Sequence, residues 1–414
     1  MRNFPTFSAC TRASAAALLV LFIAGSVRAT DYYWFGASPL VPSWADTSPG
    51  GSGVWSTSGN TFRTSDSFTL FSGYKWSSSS STGKGAGDDT AVFHGESGRV
   101  SLGGLIYANG LWFKTSGYSI TGTANNRLTL VGQTPTITVG TDTSTSEFTA
   151  SISAPIAGTA GLNKAGVGTL VLSGVNTYTG MTNVGAGTLR LAAGGQLYNG
   201  AAANAARTVM VAGGAMLNNA GIINGSVTVG NRGTFLNDAG TVAGAVTVNG
   251  TLDGTGAVGA LTLNSTGRLS VGGAAGSIGT LNTGALTLNG GSYAFDLVSG
   301  GGADRINVDG GITFGGGIIN LLLNSSSFDG RTGGQWTLFD STSTISGFDA
   351  SAWAIDDDLL GAHAGTFSVG LSATDDTALV LSYTAIPEPQ TYALFFGIVT
   401  FGIIAVRRWR AMRR

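Results

Sequence analysis

Cysteine is almost missing from this sequence. Cys10 is the only one, and it precedes the first apolar run, so a chain that matures after that run carries no thiol. A disulfide framework, a thiolate metal site and a cysteine nucleophile are thereby excluded. Histidine is nearly as scarce: His94 and His363 are the only two, and they lie far apart in sequence. Neither a zinc spacing nor a His-containing triad can be built from them, and no G-x-S-x-G elbow is present. Charged residues make up 10% of the chain, against about 25% in an average soluble domain. Between the basic clusters at the two ends, 13 Lys and Arg face 21 Asp and Glu. The body is therefore acidic and lacks the basic surface that nucleic-acid binding needs. Proline is rare too, with eight in 414 residues and none from 156 to 386. That excludes collagen and leaves a long stretch in which strand pairing is never interrupted.

Glycine and branched aliphatics fill the space. Glycine accounts for 67 of 414 residues and hydrophobic types for 43%, too apolar for a disordered chain. From about residue 160 apolar-x-apolar triplets recur: Leu170-Val171-Leu172, Leu189-Arg190-Leu191, Val209-Met210-Val211, Val227-Thr228-Val229, Val246-Thr247-Val248, Leu261-Thr262-Leu263, Leu286-Thr287-Leu288 and Ile306-Asn307-Val308. Their first residues are 19, 20, 18, 19, 15, 25 and 20 positions apart. A period near 20 with short strands indicates a solenoid in which each turn stacks on the one before. Alternation along a strand places the outer residues of each triplet inside and the middle one in water. Gly and Asn between triplets, as in Asn218-Asn219-Ala220-Gly221 and Asn237-Asp238-Ala239-Gly240, supply the tight corners.

The stretch from Gly166 through Leu172, Asn176-Thr177-Tyr178-Thr179-Gly180 and Val184 to Leu189 resembles the autotransporter-associated β-strand repeat of secreted bacterial passenger regions. The resemblance is close over about 30 residues and looser from 200 to 325. It implies a right-handed β-helix. No C-terminal run of amphipathic ten-residue strands follows that would build a membrane barrel.

The two ends read as addresses. Residues 1–29 have the form of a secretory signal, with Arg2 and Arg12, an apolar core from Ala15 to Ala24 and a Val27-Arg28-Ala29 site, so signal peptidase is expected to cut after Ala29. At the far end Pro387-Glu388-Pro389 precedes an apolar stretch from Tyr392 to Val406 and the basic cluster Arg407, Arg408, Arg410, Arg413 and Arg414. In this order the three parts resemble the PEP-CTERM sorting signal of Gram-negative bacteria. The resemblance implies a single C-terminal transmembrane helix held by its arginines, an exosortase-type membrane protease as partner, a membrane-anchored intermediate, and a link to exopolysaccharide or biofilm matrix.

Five of the eight tryptophans, Trp34, Trp44, Trp55, Trp76 and Trp112, fall in the first 112 residues and none falls between 113 and 335. This marks a Trp-rich N-terminal β region whose aromatics either cap the stack or form a ligand surface. The expected organisation is an all-β parallel β-helix: signal peptide 1–29, N-terminal cap 30–155, repeats 156–325, C-terminal β region 326–386 and sorting signal 387–414.

Chemical motifs are few. Gly254-Thr255-Gly256-Ala257-Val258-Gly259 matches G-x-G-x-x-G, but no helix pattern follows it. Ser299 to Ile306 comes within one residue of a calcium nonapeptide, yet only one copy exists where such sites need several. Asp88-Asp89, Asp356-Asp357-Asp358 and Asp375-Asp376 are the only candidate acids for a glycosidase or lyase. Adjacent acids on a strand point to opposite faces, so they read as turn residues. Asp238, Asp253 and Asp296 fall at dissimilar points of the repeat and are not expected to line up. No catalytic residue, cofactor or metal site is assigned. The expected function is an exported structural or adhesive solenoid. A carbohydrate-active enzyme or a carbohydrate-binding protein on a β-helix is the alternative.

Overall fold

The computed structural model describes residues 31–35, 50–58, 62–64, 76, 89–141, 147–200, 207–273, 276–298, 301–325, 327–361, 363–386 and 389–412. The signal sequence with Ala29, the residues Pro387 and Glu388, and Arg413 and Arg414 lie outside these. Within them the chain is all-β apart from one α-helix and two single-turn 3-10 segments, and its strands coil into a three-walled solenoid.

One turn shows how the sequence builds the coil. Ser226–Val229 lies in the first wall, Thr234–Asn237 in the second and Thr241–Val242 in the third, after which Val246–Val248 begins the next turn against Ser226–Val229. The first and second walls are continuous parallel sheets of 13 strands, with antiparallel pairing only where Phe62–Thr64 closes the first. Neither sheet breaks at residues 155 and 156. The third wall is in two pieces, of three and nine strands. Successive strands ~4.8 Å apart carry their side chains in columns. Val227, Val246, Leu261 and Leu286 stand in register inside, and Thr228, Thr247, Thr262 and Thr287 in register outside. Each fully buried Val or Leu contributes about 1.5–3 kcal/mol of apolar burial, so the columns hold the stack together.

The eight triplets do not form one column. Leu170–Leu172 and Leu189–Leu191 belong to the second wall, the five from Val209 to Leu288 to the first, and Ile306–Val308 to the third. All three walls repeat once per turn with the same in-out alternation. A period near 20 therefore identifies the turn without saying which wall a strand occupies.

Antiparallel strands close one edge of the first wall and one edge of the third. Phe62–Thr64 pairs antiparallel with Asp31–Trp34, and Ala378–Thr384 pairs antiparallel with both Gly334–Ser341 and Thr366–Leu371. Exposed parallel edges invite further strand addition, and these pairs cover two of them. Aromatics fill the N-terminal end. Trp55 and Trp76 lie 5.1 Å apart edge to face, Trp76 lies 4.8 Å from Phe62, and Phe93 stacks on Phe113 at 4.9 Å. Trp34 and Trp76 each satisfy their indole N–H inside this cluster, on Gly51 O and Tyr107 O.

The corners need glycine where turns touch. Gly254 adopts φ +110°, and a Cβ there would run into the Asn237 carbonyl oxygen of the preceding turn. This is the G-x-G-x-x-G stretch, and it forms a corner between Thr251–Gly254 and Ala257–Val258. Buried asparagines bind the corners together, Asn219 donating to Asn237 and Asn237 to Gly240 O.

Not every inward position is apolar. Lys164 stands in register between Ile137 and Val184, fully buried, and its ammonium donates to Ala165 O, Gly166 O and Ala186 O at 2.8–3.0 Å. Burial pulls its pKa from 10.5 down to about 8. Between those values the unfolded chain holds a proton that the folded chain has lost, so this group makes stability rise with pH. From pH 8 to 10 the expected rise is on the order of 2 kcal/mol. Denaturant midpoints for the wild type and Lys164→Met check this; the variant should lose the rise, and an equal rise in both would contradict it.

The C-terminal helix, Pro389–Ala411, forms where the apolar stretch predicts it. The expected transmembrane helix is corrected: among the described residues no helix is long and apolar enough to cross a membrane. The reason lies in its ends. Gln390 and Thr391 precede the apolar residues, and Arg407, Arg408 and Arg410 occupy the last turns. The run between, Tyr392 to Val406, rises only ~22 Å at ~1.5 Å per residue, short of the ~30 Å hydrocarbon core.

Candidate functional site

The strand Gly110–Phe113 places Leu111 and Phe113 in the core and leaves Gly110 and Trp112 facing outward on the first wall. Gly110 stands in register between Thr90 on one turn and Thr136 on the next, and Asp31 pairs with Thr90 one turn further on. Gly110 is itself covered: a Cβ there would lie 2.7 Å from Thr90 Oγ1, so the Thr90 side chain leans over the glycine. A cavity of about 350 Å³ beside it is lined by Asp31, Thr90, Asn109, Gly110, Leu111, Trp112, Thr134, Thr136 and Thr138.

Its walls are fixed. Trp112 Nε1 donates to Gly140 O at 2.9 Å, and the Lys114 ammonium sits 3.7 Å from the Trp112 ring centroid and 5.5 Å from that of Tyr33. Thr136 donates to Thr134 O and accepts from Asn163. Asn109 Oδ1 is sealed from solvent and has no hydrogen-bond partner. Neighbouring His94 has its pKa lowered by burial first and by Lys114 second.

The tryptophans named from the sequence separate into two groups. Trp34, Trp55 and Trp76 are core residues and form no ligand-facing row. Trp112 is the one among the described residues of that region that borders a cavity, and Trp44 lies outside the described residues.

The acids divide as well. Asp349 and Asp375 close turns on Ser351 and Thr377, whose hydrogen bonds hold both carboxyls below the usual range. Asp357 pairs with His363 Nε2 at 3.1 Å while Nδ1 meets Gly361 O, so both ring nitrogens are engaged. Asp88 lies outside the described residues. Asp253, Asp296 and Asp304, by contrast, converge at one corner, where burial first, and then the charges of Asp296 and Asp253, push the Asp304 pKa up. The expectation that the scattered acids stay apart is corrected for Asp253 and Asp296; Asp238 remains exposed at its own corner. The trio closes turns: Asp253 accepts from Gly273 N, Asp296 from Gly276 N and Asp304 from Gly279 N.

A second surface continues along the first wall. Three consecutive turns present Ala245-x-Thr247-x-Asn249, Ala260-x-Thr262-x-Asn264 and Ala285-x-Thr287-x-Asn289 outward in register. Asn264 donates to Asn249 and Asn289 to Asn264, at 2.9 and 3.0 Å. No charged side chain stands in these columns.

Two comparisons bear on this architecture. Residues 162–191 match the Passenger-associated-transport-repeat family, on the stretch whose glycines, Asn176 and Tyr178 carry the resemblance read from sequence. The adhesin BmaC autotransporter of Brucella suis biovar 1 (strain 1330) is 39% identical over 172 residues, which are 42% of this chain and 4% of that protein. The chain thus spans a small part of that relative's length, and the likeness is to an autotransporter passenger repeat.

Proposed function

We propose that this chain is an exported adhesive β-solenoid, displayed at the cell surface and associated with the exopolysaccharide or biofilm matrix. The observation that carries the reading is the uncharged Ala-Thr-Asn face on an unbroken 13-strand wall. In a body of 21 acids and 13 bases, it is a flat surface from which another acidic cell-surface polymer is not repelled. The likeness to an autotransporter adhesin supports the same reading. Signal peptidase acts after Ala29, and an exosortase-type protease acts at or near Pro387-Glu388-Pro389, removing the arginine-bearing tail. Binding rather than turnover is the activity. Among the described residues Asp31 is the one carboxylate lining the cavity beside Trp112, whereas glycoside hydrolysis takes two across a substrate.

Tagged protein should appear on intact cells and in shed matrix, and deleting residues 387–414 should abolish that display. Mass spectrometry of the external protein should find a C-terminus upstream of Arg407. Recovery of intact Arg414 outside the cell contradicts the tail processing, and display unaffected by the deletion contradicts the sorting route.

A further inference from the structure

We propose that the first wall from Ser226 to Gly315 is an ice-binding face, its ligand the ordered surface of a growing ice crystal. The inference rests on the flat face of the surface reading above and gives that face a ligand of its own. Three observations select it.

The first is periodicity. Thr228, Thr247, Thr262, Thr287 and Thr313 stand outward in register on five consecutive turns. With strands ~4.8 Å apart they form a straight file of hydroxyl and methyl groups ~19 Å long. A β-branched side chain has restricted χ1, so the file repeats its geometry from turn to turn. Outward residues follow one another along each strand at ~6.7 Å, and both repeats fall within about a tenth of the oxygen spacings on a prism face of hexagonal ice.

The second is that the face is small and tied down. Among the described residues, these five hydroxyls have no partner inside the protein, which leaves them to water. The asparagines beside them are engaged instead. Asn264 donates to Asn249 and Asn289 to Asn264 at 2.9 and 3.0 Å, and Asn249 donates to Val229 O. On the other side of the file Ala245, Ala260 and Ala285 are exposed. Residues 243–250, 259–267 and 284–291 include no charged and no aromatic residue, so no long side chain rises at either rim of the central turns.

The third is charge. Ice is neutral and excludes ions from its lattice, and a face that matches it must carry no charge of its own. This one carries none, in a body of 21 acids and 13 bases. A polyanion or a cation meets no opposite charge here. A sugar chain meets no aromatic ring to stack on. A peptide strand meets no free edge on the central strands Val246–Val248, Leu261–Leu263 and Leu286–Leu288, each paired on both sides. One hydroxyl holds a surface water weakly, but five fixed at the lattice spacing engage a crystal together, so release requires breaking all of them at once.

The test is osmometry of the purified full-length protein with a single seeded ice crystal. The wild type should open a gap between melting and freezing temperatures that widens with protein concentration, and it should facet the crystal. Thr262→Tyr, which raises a ring at the centre of the file, should shrink the gap at least fivefold at equal concentration. Thr247→Asp, which puts a charge in the file, should do the same and is the deciding variant should Thr262→Tyr not fold. Thr251→Tyr, outward on the second wall between Thr234 and Arg268, should keep the wild-type gap. Circular dichroism melts accompany each variant. The proposal is overturned by a folded wild type that neither opens a gap nor shapes ice, by a wild-type gap in folded Thr262→Tyr or Thr247→Asp, or by an equal loss in Thr251→Tyr. Retention on microcrystalline cellulose or chitin without any effect on ice overturns it as well. Surface display of the tagged wild type, scored separately on cells, decides the proposed function alone.

Discussion

Val246→Asp should destabilise the stack by about 3 kcal/mol or more, while Thr247→Asp, one residue along, should cost less than about 1 kcal/mol. Val246 is fully buried and stands in register between Val227 and Leu261. A carboxylate there is flanked by aliphatic side chains on the turns above and below, with no donor or cation to meet it. Thr247 lies outside between Thr228 and Thr262, where water solvates a charge and no neighbouring acid repels it. Because a solenoid's stability is carried by contacts between neighbouring turns, the damage should also spread to the turns on either side. Urea midpoints by circular dichroism compare the two variants, and amide exchange over residues 226–263 maps the spread. Equal losses in the two variants would mean that the in-out alternation is not what holds the stack.

That alternation was the most legible part of the fold. Leu and Val at i and i+2, with Thr or Asn between, admit only one assignment of inside and outside, and turns of about 20 residues admit only a stack. The wall to which each triplet belongs was not legible. Leu189-Arg190-Leu191 and Val209-Met210-Val211 are 20 positions apart, the length of a turn, yet they occupy the second and first walls. On a later turn the same step from second wall to first, Phe235 to Val246, takes 11 positions, and composition alone carries no mark of the difference. Lys164 escaped for a related reason. A lysine in a strand normally signals the wet face, and here three corner carbonyls receive its ammonium, groups that only the folded turn assembles.

The candidate site was legible only in its tryptophan. Trp112 was among the residues named for a ligand surface, but the cavity beside it is walled by Thr90 and Thr136, which stand 22 and 24 positions from it in sequence. Outward glycine flanked by outward threonines is a pattern across turns, and it becomes readable only once the register is known. The same limit hid the convergence of Asp253, Asp296 and Asp304. Turns of unequal length bring acids at dissimilar points of the repeat to a single corner.

That corner sets the second large effect. Asp304 is 1% exposed, and burial first, with the charges of Asp296 and Asp253 also acting, raises its pKa from 3.8 to about 7. Two backbone donors act in the opposite direction, Gly279 N on Oδ1 at 2.9 Å and Asp296 N on Oδ2 at 3.0 Å. The nearby cations are turned elsewhere: Arg305 pairs with Asp340, and Arg268 acts on Asp253. The Tyr293 hydroxyl, buried and without a partner, has its pKa raised further by burial and by both acids, so it stays neutral. Between pH 4 and 7 the folded protein therefore binds a proton that the unfolded chain has released. The stabilisation is complete below pH 4 and is lost as the pH rises through 7, an amplitude of up to about 4 kcal/mol. Asp253, also raised by burial, adds a slope of the same sign. Urea midpoints at pH 4.5, 5.5 and 7.0 should rise as the solution is acidified, and Asp304→Asn should flatten most of that rise. Asparagine has one acceptor oxygen for two N–H donors and so loses one hydrogen bond at every pH. The slope, and not the absolute midpoint, is therefore the quantity to compare. Midpoints that fall on acidification would show that the two N–H donors outweigh burial and keep the carboxylate ionised.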